Sequence, residues 1–367
     1  MSLRPPFSRI VQKLPPTGPF VPPEAIERKT GKKLALRLGA NESSFGVSPL
    51  ALQAMKEAIQ HVPWYGDAEN YDLRQALARQ LAVGMDNIVI GSGIDELLGL
   101  TVRLFLNPGD TVVTSTGAYP TFDYHVEGYG GHIHYVPYRH EKNDLQGLAE
   151  AAKQKKARIV YLANPDNPTG TIHTPGDLKS FIAQIPPDCL LILDEAYGEF
   201  APDEAILPMD PSDPRVIRMR TFSKAYGMAG ARIGYAVSER KTIAAFEKIR
   251  NHFGVNNIAQ AGALAALQDR EFLQKVVREV AEGRREYDQL AKDLGLSTIP
   301  SVTNFVTFNM GSDESARAVI NALSERGVFV RRPETPPFNR YIRVTVGTPA
   351  ERAQFSDIFR EEVHKRL

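Results

Sequence analysis

Cysteine is almost absent. The 367-residue chain carries one, Cys189, which excludes an intramolecular disulfide and fits a reducing compartment. It sits in the apolar run CLLIL, where a small buried hydrophobe is the expected role rather than a nucleophile. An excess of one charge is missing too: 44 Lys and Arg against 43 Asp and Glu leave a net +1. Such a balance gives no reason to expect nucleic acid or an acidic membrane as partner. Basic groups that matter should therefore act locally, in a pocket. No apolar run is long enough to span a bilayer, and MSLRPPFSRIVQKLPP has no apolar core of signal type. The expectation is a soluble, cytoplasmic protein. Internal repeats and low-complexity segments are absent as well.

What is present is a long chain, too long for one ordinary core, which predicts two subdomains of one α/β protein. The first forty residues are proline-rich and read as an extended arm, residues 1–40. Ser48-Pro49 opens a helix through Ala58, and a second runs from Asp72 to Leu81. Short β-rich runs then alternate with helical stretches: Ile88–Ile90, Thr111–Thr114, Ile133–Val136, Ile159–Leu162, Leu190–Leu193 and Val216–Met219. This alternation implies βαβ units and a mostly parallel sheet flanked by helices, over residues 41–250. Arg232–Val237 reads as one more strand, followed by a broken helical stretch from Glu239 to Leu294. A smaller α+β unit completes residues 251–367, with strands near Asn304–Phe308, Val328–Val330 and Tyr341–Val346. Ligands of open parallel sheets bind at the carboxyl ends of strands, and the polar residues of interest fall just after these runs.

Five segments carry chemistry. In TFSKAYGMAGARIGY, Lys224 lies just past a strand among small residues, a setting that lets an amine reach a cofactor aldehyde. Ser223 and Arg232 could bind a phosphate, the arginine with two parallel donors. An isolated lysine is ordinarily a solvated charge, so the neighbours carry this reading. In LLILDEAYGEF, Asp194 ends an apolar strand, where a carboxylate needs a positive partner such as a pyridinium nitrogen. A helix cap is the other role open to it. Tyr197 could donate to a phenolic oxygen of the same ring. The rigid loop NPDNPTG could present the Asn167 amide to that oxygen, although alone it is an ordinary turn. GSGIDE, between strand and helix, offers backbone N–H groups at Ile94 and Asp95 to an anion. It lacks the remaining spacing of a dinucleotide fingerprint. Tyr119, in GAYPTF, could stack on a ring or serve as a core tyrosine. His132 and His134 share one strand face without a third ligand, so no metal is expected.

Taken in order, these segments resemble the fold-type I pyridoxal 5'-phosphate (PLP) aminotransferases, and within them the histidinol-phosphate aminotransferase group. The resemblance begins at LGANESSFGVSP (Leu38 to Pro49), runs through GSGIDE, AYPTF, NPDNPTG, LDEAY and the lysine segment, and ends in GVFVRRP (Gly327 to Pro333) and YIRVTVGT (Tyr341 to Thr348). It implies that Lys224 attaches PLP covalently and that Asp194 holds the pyridine nitrogen. Tyr197 and Asn167 would take the phenolic oxygen, and Tyr119 would stack. Ser223, Arg232 and the backbone at Ile94–Asp95 would hold the phosphate. Arg343 would bind the substrate carboxylate, with Arg331 and Asn41 on the substrate side. Tyr65 would reach across a homodimer into the partner's site.

The family often has a tyrosine in the arm, where this chain reads LPPTGPF with Thr17. WYGDAENYDLR stands where an arginine–tyrosine–proline run is common, and Ile94 where a serine is frequent. The expected reaction moves an amino group between histidinol phosphate and 2-oxoglutarate or glutamate. An aromatic amino acid donor, its apolar wall built by Trp64, Tyr65 and Phe20, is one alternative. A threonine-phosphate type decarboxylase is another. A DNA-binding PLP sensor would need a module that a forty-residue proline-rich arm does not supply.

Overall fold

The computed structural model describes residues 5–15 and 22–366. Thr17 and Phe20 lie outside the described residues. The proline-rich arm is not wholly extended. It contains α1 (Pro23–Thr30), with proline at its first position and left-handed Gly31 ending it. Proline suits the first turn of a helix because its missing N–H would have no partner there. β1 (Leu36–Arg37), α2 (Pro49–Ala58) and α3 (Tyr71–Leu81) follow. Ser48 caps α2 by accepting from the Ala51 N–H.

The large sheet is built by β2 (Ile88–Gly91), α4 (Ile94–Phe105), β3 (Thr111–Ser115), α5 (Pro120–Gly128), β4 (His132–Val136), α6 (Leu145–Gln154), β5 (Ile159–Ala163), α7 (Pro175–Gln184), β6 (Leu190–Asp194), β7 (Val216–Thr221) and β8 (Gly234–Val237). Its seven strands run in the order β2-β8-β7-β6-β5-β3-β4. β8 is antiparallel to both its neighbours, and the other adjacent pairs are parallel. The mostly parallel expectation is met, with one strand reversed. The expected strand at Arg232–Val237 begins two residues late. Arg232 is left-handed, with φ 59°, at the end of a single 3-10 turn, so it cannot extend the ladder.

The continuous apolar runs follow from burial on both faces. Alternate residues of β5 serve different cores. Ile159, Tyr161 and Ala163 pack with α4 and α5, whereas Val160 and Leu162 pack with α6 and α7. Cys189 is buried in the latter core, as expected.

After β8 the helical stretch resolves into α8 (Arg240–Phe246), α9 (Asn257–Gln268) and α10 (Arg270–Asp293). β9 (Ser297–Ile299), β10 (Phe305–Asn309), α11 (Asp313–Glu325), β11 (Val328–Phe329), β12 (Tyr341–Thr345) and α12 (Pro349–His364) complete the chain. β12, β10 and β9 form a three-stranded antiparallel sheet. Leu36 and Leu38 join the core of this C-terminal unit, and β1 pairs in parallel with β11.

Gly227, three residues after Lys224, has φ 71°, and a Cβ there would lie 1.9 Å from the Gly46 carbonyl oxygen. Gly31 has a similar φ of 69° with nothing within 4 Å. Gly31→Ala should lose only the left-handed conformational term, about 1–2 kcal/mol. Gly227→Ala should lose clearly more, because it also displaces backbone. Thermal unfolding of the two variants checks this: equal shifts in Tm would show that the Gly46–Gly227 contact is unimportant.

Candidate active site

One cavity of about 960 Å³ opens at the carboxyl ends of the parallel strands. Of the residues expected in a site, Asn41, Ile94, Asp95, Tyr119, Asn167, Asp194, Tyr197, Ser223, Lys224, Arg232, Arg331 and Arg343 all line it. Tyr65 does not. It is 81% exposed, with its ring 4.7 Å from that of Phe253 on the surface.

The loop between β2 and α4 forms an anion cradle. Gly93 has φ 90°, and a Cβ there would come within 2.5 Å of the Arg232 guanidinium. Glycine is thus required for the arginine to lie against the start of α4, where backbone N–H groups are free. Arg232 donates to the Ala229 carbonyl at 3.0 Å and lies 3.8 Å from the Asp95 carboxylate. Tyr119 donates to the other Asp95 oxygen at 3.0 Å. Asp95 therefore ties the cradle to the aromatic wall through its side chain, a link that sequence did not suggest.

β6 ends in two adjacent buried carboxylates with opposite fates. Burial works against the charge of Glu195, but Arg218 at 2.6 Å and Arg220 at 3.2 Å outweigh it and hold its carboxyl below the usual range. Asp194 has no basic partner among the described residues. Burial pushes it up to about 6, against the opposing help of Tyr161 and the Ala196 N–H. Tyr161 donates to one oxygen at 2.7 Å and the Ala196 N–H to the other at 2.9 Å. The element after β6 is a single 3-10 turn, Gly198–Phe200, with Tyr197 at its N-cap, so Asp194 is not a helix cap. Tyr161 was missed in the sequence because a tyrosine within a strand carries no motif.

Lys224 follows β7 and donates to the Ala40 carbonyl at 3.3 Å, with its amine 5.8 Å above the Tyr197 ring. Burial first, and Arg343 second, lower its pKa to about 8. Tyr197 is buried and accepts from the Asn41 amide at 2.8 Å; burial moves its hydroxyl up to about 12. Asn41 is itself fixed, its N–H donating to the Thr345 hydroxyl at 3.0 Å and its carbonyl accepting from Asn304 at 3.0 Å.

Asn167 accepts from Arg343. The loop that carries it is held by buried Asp166, which accepts from Tyr138, Asn143 and Thr169. Arg343 also donates to the Gly39 carbonyl at 3.2 Å, and its Nε is buried with no partner among the described residues. Arg331 pairs by backbone with Arg343 across two strands, so two guanidinium groups enter the cavity side by side. Burial lowers both. Among the described residues no group of three or more His, Cys, Asp or Glu that could hold a metal ion is present.

This donor set suits a ligand with a phosphate at one end, a protonatable ring nitrogen for Asp194, and a carbonyl carbon for the amine of Lys224. A phosphorylated pyridine aldehyde has these three features. The arginine pair is left for acidic groups of substrates.

A family model described as aminotransferase class I and II matches residues 34–358. The histidinol-phosphate aminotransferase 2 of Carboxydothermus hydrogenoformans is 36% identical over 353 residues, covering 95% of this chain and 96% of its own. The histidinol-phosphate aminotransferase of Moorella thermoacetica is 35% identical over 96% of this chain and 91% of its own. The crystal structure of histidinol-phosphate aminotransferase from Sinorhizobium meliloti in complex with pyridoxal-5'-phosphate superposes with a TM-score of 0.95. It is 46% identical, with 98% of each chain covered. Fold, site and family model together make this chain a member of the class I and II aminotransferases. Within that family it belongs to the histidinol-phosphate aminotransferase group.

The lowered pKa of Lys224 has a kinetic signature. Only a neutral amine attacks an aldehyde, so capture of pyridoxal phosphate by cofactor-free protein should accelerate as pH rises through about 8. Stopped-flow absorbance gives the midpoint. A midpoint near that of a free lysine, about 10.4, would show that burial does not act on this group.

Proposed function

We propose that this protein is a PLP-dependent aminotransferase that moves an amino group between histidinol phosphate and 2-oxoglutarate or glutamate. The observation that carries the reading is the meeting of Lys224, cation-less Asp194 and the arginine pair Arg331–Arg343 in one cavity. The names of relatives at 35–36% identity support the donor, and the pyridoxal phosphate bound in the Sinorhizobium meliloti structure supports the cofactor.

Ser223, Arg232 and the backbone at Ile94–Asp95 would hold the cofactor phosphate. Asp194 would hold the ring nitrogen, Tyr197 and Asn167 the phenolic oxygen, and Tyr119 would cover the ring face. When bound, the cofactor supplies an electron sink for the electrons released at the donor's α carbon. Lys224 would take the proton from that carbon as general base and deliver it to the carbon of the cofactor's carbonyl group, and would make the same two transfers in the opposite order in the reverse half. Its amine is suited to this because burial keeps a neutral fraction near neutral pH. Tyr161 and the Ala196 N–H orient the Asp194 carboxylate. Arg343 binds the α-carboxylate of glutamate or 2-oxoglutarate, and Arg331 a second acidic group, either the other carboxylate or the donor phosphate. Asn41 acts from the substrate side through the Tyr197 hydroxyl.

The active species in this reading is a cytoplasmic homodimer. The described residues contain no helix long and apolar enough to cross a membrane. Trp64, Tyr65 and Phe253 are 67%, 81% and 51% exposed, with Ile59 and Val62 beside them. Exposed apolar side chains in this stretch support an interface there, which would carry Tyr65 to a partner's cavity. The division into an arm, a PLP-binding domain over residues 41–250 and a small domain over residues 251–367 belongs to the same proposal.

Asp194→Asn keeps shape and removes charge. Its transamination rate should fall by a barrier increase of about 3–4 kcal/mol, the scale of losing one preorganised electrostatic partner. Near-normal single-turnover rates would remove Asp194 from the chemistry. The reading as a whole is tested with histidinol phosphate, phenylalanine, tyrosine and histidine as donors to 2-oxoglutarate. Preference for phenylalanine would move the assignment to an aromatic aminotransferase. Carbon dioxide release without a 2-oxo acid would move it to a decarboxylase.

Assembly has its own check. Light scattering should give a dimer with two-fold symmetry, and mixing inactive Lys224→Ala with an impaired Tyr65→Phe variant should restore activity. An active monomer would remove the shared-site reading.

A further inference from the structure

The cavity extends along the row of strand ends. The anion cradle sits at the β2-β8-β7 side, and β4 is the opposite edge of the sheet. At that edge Asp123, in the first turn of α5, accepts a hydrogen bond from the Tyr135 hydroxyl at 3.0 Å. Its other oxygen, Oδ1, is buried and has no partner among the described residues. Both side chains line the cavity with Gly117 and Thr335. A Cβ on Gly117 would meet Thr335 at 3.2 Å, so the segment after Arg332 passes closely over this end. Burial moves the Asp123 carboxyl up to about 7, as expected for an acid with a hydroxyl but no cation beside it. None of the cofactor or carboxylate roles assigned above uses this pair.

We propose that Asp123, positioned by Tyr135, accepts a hydrogen bond from an N–H group on the amino donor's side chain, such as an imidazole N–H, and so sets donor preference. The inference rests on the donor reading given above. The arginine pair recognises anionic groups and has no acceptor to offer. An imidazole end of a donor needs an acceptor, and a buried carboxylate oxygen lacking a partner needs a donor. A phenyl ring would leave that oxygen unpaired, which is how a polar site rejects an apolar analogue of similar size. Asp123 is here a specificity-determining residue, and Tyr135 a positioning residue that acts through it.

The test compares kcat/KM for histidinol phosphate and for phenylalanine in wild-type holoenzyme and in Asp123→Leu, Asp123→Asn and Tyr135→Phe. The ratio of histidinol phosphate to phenylalanine should fall at least tenfold in Asp123→Leu and severalfold in Tyr135→Phe, with Asp123→Asn between them. Calorimetry with 3-(imidazol-4-yl)propyl phosphate, which lacks the reacting amine, should show the same order of weakening. An unchanged ratio with normal folding, or equal losses for both donors, would overturn the inference and leave the aminotransferase reading standing. A wild type that turns over phenylalanine but not histidinol phosphate would overturn both. If Asp123→Leu does not fold, the Asn and Phe variants decide by the same ratio.

Discussion

A carboxylate stays charged inside a protein only when something supplies the opposite charge, and β6 ends in two that meet this demand differently. Glu195 is answered by Arg218 and Arg220 from β7, which makes it part of the frame. Asp194, one residue earlier, has a phenol and an amide N–H but no cation among the described residues. The protein therefore keeps one buried charge open towards the cavity, and a cationic ring nitrogen is the partner that closes it. The frame and the functional group are adjacent, so the rigid ion pairs fix where the open one points.

The same economy of positions recurs around Lys224. Its amine shares a cavity with Arg343, which disfavours its charge, while Asn41 and Tyr197 form a neutral wall below it. Arg343 in turn holds Asn167, and Asp166 fixes the Asn167 loop from behind through three side chains. The large sheet contributes the groups suited to a cofactor. The segments near residues 39–42 and 331–343 contribute those suited to substrates. Two chemistries thus meet across one cleft, each on its own support.

Much of this was legible in the sequence, because the site lies in segments whose local grammar is strong. Strand ends followed by glycine, proline or a lone charge mark Gly93, Asn167, Asp194 and Lys224, and the apolar runs mark the sheet. What escaped is tertiary. The reversed direction of β8 leaves no trace in its composition, and the left-handed Arg232 was read as strand because its neighbours are apolar. Helix α1 hid among prolines that in fact begin it. Tyr161, Asp123 and Tyr135 belong to ordinary amphipathic or buried patterns, and only packing shows that they face polar partners. Asn41 lies on the cavity wall, and its hydrogen bonds to Tyr197, Thr345 and Asn304 leave no mark in the sequence.

The bond from the Asn41 N–H to Thr345 joins positions 304 apart in the chain, and β1 pairs with β11 across nearly as long a stretch. This sets an order of events on the ribosome. The large sheet can close while synthesis continues, since its longest-range pairing, β2 with β8, is complete by Val237. The cleft cannot, because one of its walls joins residues 36–41 to residues 328–345. Until then Leu36 and Leu38 have no core to enter, and the ends must be brought together from far apart, which is a slow step. The nascent enzyme is therefore a finished scaffold with an unfinished binding site, and tight retention of its small-molecule ligands begins only once residues 328–345 have been made.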